Sequence, residues 1–513
     1  MSSQAENNKR IAKNTLVLYA RMLFTVGISF YSTRLILANL GVDNYGIYNV
    51  ICGFVSMFYM VSATMTQAVG RFLTFELGTG NEKKLQQTFS TSVNILLLLS
   101  LVVVLLAETV GLWFVNYKLN ISSDRMVAAN WIYQFSVLSF ILEMISVPYS
   151  ASVISHEKMG AFAFITIMKV FLTLGIALLL SVSPIDRLIF YGILMFIVSA
   201  SIQIMYWIYC RRNFPECRYS IYTDRKIFKE MFGFAGWNFL TSTSTLLSSQ
   251  GVNIMLNMFF GTTINAARSI GYQISGTIGA FSRNFMTSLT PQITKSYAAK
   301  DIEYAKILLC RGTKLSYLLL FTIALPSMIE INFLLSIWLK DVPSYAGSFA
   351  RLSILYSLTD VLIFTIETLI KATGKIKRNQ ILLCISQYII LFLSFLVINF
   401  TRSPILTVAI YNIVYIIIFV PRIVINRPFI GISFIYFYKN VLNGIIITSL
   451  LSIFFSMIPL FLMESGWCRL ILVCFISTVS IFVFSYNIVF TKSERKVLLD
   501  ITRNKLKKYL KHT

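Results

Sequence analysis

The segment FSTSVNILLLLSLVVVLLAETVGLW (89–113) carries a single charged residue, Glu108. An apolar run of about 18 or more residues crosses a bilayer as a helix, because helical backbone groups bond to one another. Similar segments fill the rest of the chain, which is 56% hydrophobic and 13% charged. We therefore predict an all-α polytopic membrane protein with about 14 transmembrane helices. The predicted spans are 14–38, 46–70, 89–113, 127–150, 161–182, 188–210, 233–258, 267–290, 311–338, 347–370, 379–400, 404–425, 439–462 and 467–490.

Basic residues fall on alternate connections between these spans. Counted with the residues at span ends, 33 Lys and Arg lie in the N-terminus, the even-numbered connections and the C-terminal tail, against 7 in the odd-numbered connections. Because Lys and Arg accumulate on the cytoplasmic side, both termini are predicted to be cytoplasmic. The alternation also accounts for the net charge of +24, so no nucleic-acid partner is expected. The tail 492–513 is predicted to be either a basic amphipathic helix on an anionic membrane surface or a solvated segment.

Residues suited to catalysis or metal binding are scarce. The chain has two histidines, His156 and His512, and seven scattered cysteines without a CxxC pair. It has no P-loop, and its odd-numbered connections are short, with Asp43 and Asp124 as their main acidic residues. We predict that the chain is not an enzyme and holds no resident cofactor or metal.

An internal repeat divides the chain at an offset of 220 residues. ANLGVDNYGIYN (38–49) aligns with NMFFGTTINAAR (257–268), and GTGNEKKLQQTF (78–89) aligns with AAKDIEYAKILL (298–309). The offset contains an even number of helices, so both copies enter the membrane in the same orientation, which predicts two parallel six-helix lobes. The predicted domains are an N-lobe (1–210), a cytoplasmic linker (211–232), a C-lobe (233–425), two further helices (426–490) and a basic tail (491–513).

Four stretches resemble a known family of bacterial polysaccharide-biosynthesis membrane proteins. They are LGVDNYGIYNV (40–50), RFLTFELGTGNEKKLQQTFSTS (71–92), ISVPYSASVISHEKMGAFAFITIMKV (145–170) and AARSIGYQISGTIGAFSRNFMTSLTPQITKSYAAKD (266–301). The family is that of the Wzx-type flippases, in the multidrug/oligosaccharidyl-lipid/polysaccharide exporter (MOP) superfamily. The resemblance implies twelve helices in two lobes plus two extra helices, alternating access, and an undecaprenyl-diphosphate-linked oligosaccharide as cargo.

Basic side chains inside the predicted spans are candidates for binding that cargo. A charge at the centre of a spanning helix costs at least about 2.5–3.5 kcal/mol, so one that is kept there is expected to face a cavity. Arg suits a diphosphate through bidentate hydrogen bonds, and the resemblance implies cavity arginines on the first and eighth helices. The alternatives are that Arg34 and Arg268 reach the membrane interface, and that others pair with acidic residues. The candidates are Arg21, Arg34, Arg268, Arg283, Lys169 and Arg351.

Acidic and amide side chains inside the spans form two further sets. Asp360, Glu367, Glu143 and Glu330 are candidates for coupling to H+ or Na+, and the alternative for Asp360 and Glu367 is a structural salt bridge with Lys169, Arg351 or Lys371. Asp360 and Glu367 lie two turns apart on nearly one helix face. The candidates for sugar contacts are Asn238, Gln250, Asn253 and Gln273, in the polar, small-residue seventh and eighth spans. Close helix packing is the alternative explanation for the polar and small residues of these two spans.

Three functions compete for this pattern. The first is a flippase that moves an undecaprenyl-diphosphate-linked oligosaccharide across the bacterial cytoplasmic membrane, with membrane lipid and other polysaccharide-assembly proteins as partners. The second is a cation-coupled multidrug antiporter of the same superfamily, which an acidic, aromatic-lined cavity would favour. The third, a membrane polymerase or transferase, lacks the outer loops that it needs. The net basic set of intramembrane residues favours the first.

Overall fold

The computed structural model of the protein describes residues 2–495 except 57, 118, 120, 221–223, 340, 341 and 493. These residues are overwhelmingly helical, and none of them forms a β-strand. The prediction of an all-α membrane protein is confirmed. The predicted tail helix (492–513), with His512, lies almost wholly outside the described residues.

Each predicted span coincides with one helix or with two consecutive helices. Single π-helical turns at Ala107–Gly111 and Tyr438–Leu442 join the two parts of the third and thirteenth spans. The helices are α1 (Ser2–Leu40), α2 (Val42–Ser56), α3 (Tyr59–Thr79), α4 (Glu82–Leu106), α5 (Leu112–Tyr117), α6 (Met126–Ser155), α7 (Met159–Leu179), α8 (Arg187–Asn213), α9 (Arg225–Phe260), α10 (Thr262–Ala298), α11 (Ile302–Ile329), α12 (Ile331–Trp338), α13 (Ala346–Thr373), α14 (Lys377–Thr401), α15 (Pro404–Ile430), α16 (Phe434–Phe437), α17 (Asn443–Leu462) and α18 (Trp467–Phe484).

Most of these helices can cross a bilayer. Among the described residues, eleven helical stretches are long and apolar enough, and a twelfth is reached if the pair Asn44–Val55 and Tyr59–Thr79, bent by 48°, counts as one span. The helices α9 and α10 occupy the seventh and eighth predicted spans but do not qualify by apolarity. Their many hydroxyl and amide side chains lower the mean hydropathy, which is typical of helices that face other helices or water.

The internal repeat reappears in the backbone. Gly41 and Gly261 have φ of 78° and 81°, and Gly80 and Lys300 have φ of 72° and 62°. Each pair stands at the offset of 220 residues. Left-handed φ ends a helix abruptly, and glycine adopts it without steric cost. After Gly80, Asn81 accepts a 3.0 Å bond from the Lys84 amide and so caps α4. The two copies therefore turn at equivalent positions.

The chain forms two compact units. Unit 1 comprises Met1–Ser242 and Thr287–Ile302, and unit 2 comprises Thr243–Met286 and Glu303–Thr513. The divisions fall inside α9 and α10. The lobe boundaries and the linker given from the sequence stay predictions.

The exposed and buried side chains of helix α4 show which face of the helix is suited to contact with lipid. Leu98, Leu101 and Leu105 are 50%, 57% and 58% exposed, and their spacing puts them on one face. Leu96 and Val103 are buried. Exposed leucines are costly in water but match the apolar interior of a bilayer. The burial pattern therefore follows a membrane environment.

Candidate functional site

Unit 2 places a carboxylate beside a group of tyrosines. Asp360 lies one turn after Tyr356 on α13, and its side chain is half-buried. Among the described residues, no ion pair or hydrogen bond involves the Asp360 carboxylate. The Tyr356 ring packs edge-on against Tyr415 of α15, with ring centroids 4.7 Å apart. A partly accessible carboxylate without a fixed partner is suited to binding a proton or a small cation.

A cavity of about 120 Å³ in unit 2 adjoins these side chains. Its lining includes Tyr272, Tyr356, Tyr411, Gln387 and Asn412. The Oε1 atom of Gln387 and the Oδ1 atom of Asn412 are buried without a hydrogen-bond partner in this structure. Water takes about 30 Å³ per molecule in the liquid, so the cavity has room for a few waters or a small hydrated group. Aromatic rings and polar oxygens together make a cavity suited to cations.

Glu367, two turns after Asp360, is held in a partly buried network, in which Arg422 is buried while Glu367 and Lys371 are 22% and 24% exposed. Its carboxylate oxygens lie 2.7 Å from Lys371 Nζ and 3.1 Å from Arg422 Nη2. Arg422 is buried and also donates to Asn379 Oδ1 at 3.2 Å. Removing one member of such a network leaves a buried charge uncompensated, so the network stabilises the packing of α13, α14 and α15. Of the two carboxylates, Asp360 is the one left available for a ligand.

Arg268 of α10 is fully buried in a neutral cage. Its Nη1 donates to Asn253 Oδ1 at 2.5 Å, and its Nη2 donates to the Tyr272 hydroxyl at 2.8 Å. Its guanidinium carbon lies 5.0 Å and 5.7 Å from the ring centroids of Tyr272 and Tyr411. The side chain therefore does not reach the membrane interface, and two cavity-lining tyrosines cover it.

The other two basic candidates of unit 2 bond to backbone carbonyls. The exposed Arg283 donates from Nη2 to Gly276 O, on its own helix, at 2.7 Å. Arg351 donates from Nε to Met328 O, near the end of α11, at 3.0 Å. The bond of Arg351 leaves its two Nη groups available to other acceptors.

In unit 1, Arg21 and Arg34 lie on α1. The Arg21 guanidinium carbon is 5.0 Å from the centroid of the Phe162 ring on α7, and the side chain is half-buried. Arg34 is exposed. Three predicted basic residues lie in each unit, and the prediction that they converge on one chamber stays a prediction.

Lys169, the third basic candidate of unit 1, faces Glu143. Its Nζ lies 3.9 Å from a Glu143 oxygen, which also accepts a 2.9 Å bond from the Tyr59 hydroxyl. Both side chains of the ion pair are more than two-fifths exposed. Lys169 is thus partly neutralised by the acid that was itself a coupling candidate.

Glu330 is engaged at the break between α11 and α12. Its two oxygens accept bonds of 2.7 Å and 2.9 Å from Arg469 Nε and Nη2. A bidentate pair of this kind is strong and directional, so it joins α18 to the break.

The four candidates for sugar contacts do not form one group. Asn238 is buried and donates to Phe234 O within α9. Gln250 accepts from Asn253, and Asn253 supports Arg268. Gln273 is exposed on α10. Of these four, only Gln273 presents an exposed side chain with no hydrogen bond to the described residues.

Sequence reasoning missed the tyrosines and Arg422. Tyr356 and Asp360 stand at i and i+4 on α13, and Tyr411 and Tyr415 repeat that spacing on α15. Residues at this spacing share a helix face. The sequence signal for this group of tyrosines was the i, i+4 spacing of polar residues on two neighbouring apolar spans.

Comparisons with known proteins agree on the fold. No protein-family model matches the chain, and no curated protein does. Among solved structures, a MATE transporter in the straight conformation has a TM-score of 0.70 at 10% identity, over 83% of this chain and 96% of that chain. The MATE multidrug transporter DinF-BH has a TM-score of 0.69 at 17% identity, over 83% of this chain and 97% of that chain.

The chain has the MATE transporter fold. A third solved structure is a MOP superfamily transporter from Pyrococcus furiosus, for which a reversed polarity of the binding pocket is taken to suggest a different function. Its TM-score is 0.69 at 9% identity, over 82% of this chain and 96% of that chain. These three solved structures are transporters, and the apolar helices of this chain are those of a multi-pass membrane protein.

Proposed function

We propose that the protein is a cation-coupled antiporter that exports amphiphilic cations by alternating access. The observation that carries this proposal is the Asp360 carboxylate, half-buried on a membrane-spanning helix and without a hydrogen bond or ion pair to the described residues. Its neighbour Tyr356 also lines the tyrosine-containing cavity, and a carboxylate beside aromatic rings favours cations. The likeness in fold to multidrug transporters supports this reading over an anionic cargo.

In the proposed cycle Asp360 exchanges its ligand between the two access states. A proton or Na+ on Asp360 neutralises the carboxylate, and its release restores a negative charge that a cationic cargo can match. Coupling requires that the ion binds one state more tightly than the other, because a ligand with equal affinity shifts no equilibrium. Glu367, held by Lys371 and Arg422, keeps α13 in register while Asp360 changes charge.

The experiment is dye transport in proteoliposomes. The purified chain is reconstituted, a pH or Na+ gradient is imposed, and movement of ethidium is followed by fluorescence. Wild type should accumulate the dye only with an ion gradient, and accumulation by Asp360→Asn should fall to the level of protein-free vesicles. Glu108→Gln is the matched control, since Glu108 is an exposed carboxylate within a span whose one side-chain partner is Gln134. Equal rates for wild type and Asp360→Asn would refute the proposal.

A second candidate is the flippase of an undecaprenyl-diphosphate-linked oligosaccharide. The observation that favours it is the half-buried Arg21 on α1, which lies over an aromatic ring within a membrane-spanning helix. An arginine kept there at a cost is suited to a diphosphate. The pocket of reversed polarity in the Pyrococcus furiosus transporter supports the idea that this fold serves more than one charge class of cargo. Membrane lipid and polysaccharide-assembly proteins are its expected partners.

The flippase candidate has its own test. Proteoliposomes carrying a fluorescent polyprenyl-diphosphate sugar are assayed for protection of the headgroup from an added quencher. Arg21→Gln with Arg283→Gln should abolish flipping. Arg212→Gln with Lys229→Gln, which removes two exposed basic residues outside the spans, should not. Dye transport without flipping selects the antiporter, and flipping without dye transport selects the flippase.

For either cargo we propose a bacterial cytoplasmic membrane location with both termini in the cytoplasm. The support is the 33 to 7 distribution of basic residues between alternate connections. A reporter fused after Thr513 should be active in the cytoplasm. Activity on the outer side instead would reverse the orientation.

A further inference from the structure

A polar pocket of about 440 Å³ lies at one end of unit 2. It is formed where α11 ends, α12 begins, the first turns of α13 pass, and the connection from α17 to α18 crosses. Its polar lining includes Arg351, Arg469, Glu330, Asn332 and Ser465. The pocket therefore joins α17 and α18 to the rest of unit 2.

The charges in this pocket do not cancel. Arg469 donates from Nε and Nη2 to Glu330 and from Nη1 to Met463 O, so the charges of Arg469 and Glu330 cancel. Arg351 donates only from Nε, to Met328 O. The two Nη groups of Arg351 form no hydrogen bond with the described residues. The pocket thus keeps one positive charge with free donors.

Neutral donors stand beside that charge. The side chains of Asn332 and Ser465 are exposed and likewise form no hydrogen bond with the described residues. Asn332 lies in the first turn of α12, where the backbone dipole favours an anion. A guanidinium, an amide and a hydroxyl are donors that phosphate oxygens accept well.

Aromatic residues indicate where the pocket lies along the membrane normal. Trp467 and Trp338 are 62% and 49% exposed. The Trp467 ring packs edge-on against Phe333, which lines the pocket, with centroids 5.7 Å apart. Exposed tryptophans concentrate at the membrane–water interface, the level of the lipid headgroups. The helix ends that form the pocket lie at the same level.

We propose that this pocket binds the phosphate of an anionic phospholipid headgroup. The Arg351 Nη groups carry the charge-assisted bonds, and Asn332 and Ser465 complete the set. The bound lipid fastens α17 and α18 to α11–α13. This site is separate from Asp360 and independent of the cargo that the protein moves.

The test is native mass spectrometry of the full chain released from detergent, titrated with phosphatidylglycerol. Wild type should retain one tightly bound lipid. Arg351→Gln should weaken its binding about tenfold, the loss of one charge-assisted hydrogen bond. Asn332→Asp, which is isosteric and leaves the Arg351 bond to Met328 in place, should weaken it similarly by repelling the phosphate. Arg402→Gln is the matched control, because Arg402 is exposed in another odd-numbered connection and lies over Phe259.

Three results would overturn the proposal. Equal loss of bound lipid in Arg351→Gln and Arg402→Gln would mean that lipid binding depends on the total charge of the protein rather than on this pocket. Displacement of the lipid by inorganic phosphate at the same concentration as phosphatidylglycerol would mean that the site takes free phosphate and does not recognise a headgroup. Retention of the lipid by both Arg351→Gln and Asn332→Asp would remove the site altogether.

Discussion

Lys295 Nζ on α10 donates a 2.7 Å hydrogen bond to Glu157 Oε1, in the turn between α6 and α7. The other oxygen of Glu157 accepts from Gln292 and lies 3.7 Å from Arg10. The Glu157 side chain is 1% exposed, and the Glu157 carbonyl accepts from Asn14 at 3.2 Å. One buried carboxylate therefore ties α1, the α6–α7 turn and the end of α10 together within unit 1.

Glu157→Gln should destabilise unit 1. The substitution leaves Lys295 and Arg10 without their buried counter-charge. We expect a loss of about 2–3 kcal/mol, below the 3–5 kcal/mol of a fully buried pair because Lys295 is 26% exposed. The thermal unfolding midpoint in detergent measures it. Glu303→Gln, whose carboxylate is 78% exposed against Lys306, should change stability by less than about 0.5 kcal/mol. Similar shifts in both variants would contradict the role given to Glu157.

Gly271→Ala should force α10 away from α13. A Cβ atom at Gly271 would lie 2.9 Å from the backbone carbon of Phe349, and backbone atoms cannot move aside cheaply. Such overpacking costs about 1–3 kcal/mol. Gly276→Ala on the same helix meets nothing within 4 Å, so it should be neutral or slightly stabilising. The thermal unfolding midpoints of the two variants test this prediction. A Gly271→Ala variant as stable as wild type would show that α10 and α13 are not in close contact there.

Asp186 should make folding sensitive to acid. It caps α8 by accepting from the Leu188 and Ile189 amides, and it pairs with Arg125. Burial alone would raise the pKa of the Asp186 carboxyl, but these bonds and the Arg125 charge outweigh it and hold the pKa below its ordinary value. A depressed pKa stabilises the fold above the unfolded pKa of about 4 and loses that effect as pH falls through the folded value.

The measurement compares wild type with Asp186→Asn across pH. Asn still caps the helix, so the loss at neutral pH should be small, about 0.5–1 kcal/mol from the ion pair. The difference between the two proteins should shrink as pH falls below about 4. A difference that stays constant from neutral to acid pH would mean that the charge of Asp186 has no part in stability.

Local sequence rules predicted most of the helices because a long apolar run crosses a membrane as a helix. The repeat aligned Gly41 with Gly261, and both residues have the left-handed φ that glycine adopts freely. The breaks inside predicted spans were harder to predict from the sequence. At the break between α11 and α12, Glu330 pairs with Arg469, 139 residues later in the chain, and no local pattern reveals that partner.

The partners of the candidate side chains were also beyond the sequence. Arg268 was a candidate for binding cargo, but its cage includes Tyr411 of α15, which helix packing alone brings near. Asp360 and Glu367 looked equivalent by spacing. Arg422 separates their roles by pairing with Glu367 and not with Asp360. Which of two similar charges is free depends on long-range contacts.

The most direct test of the account is to separate coupling from translocation at Asp360. In proteoliposomes without an ion gradient, Asp360→Asn should still exchange internal for external ethidium, because the access states and the cargo path remain. With a pH or Na+ gradient, the same variant should fail to accumulate dye, whereas wild type accumulates it. Accumulation by Asp360→Asn at the wild-type level would contradict the assignment of Asp360 as the coupling residue.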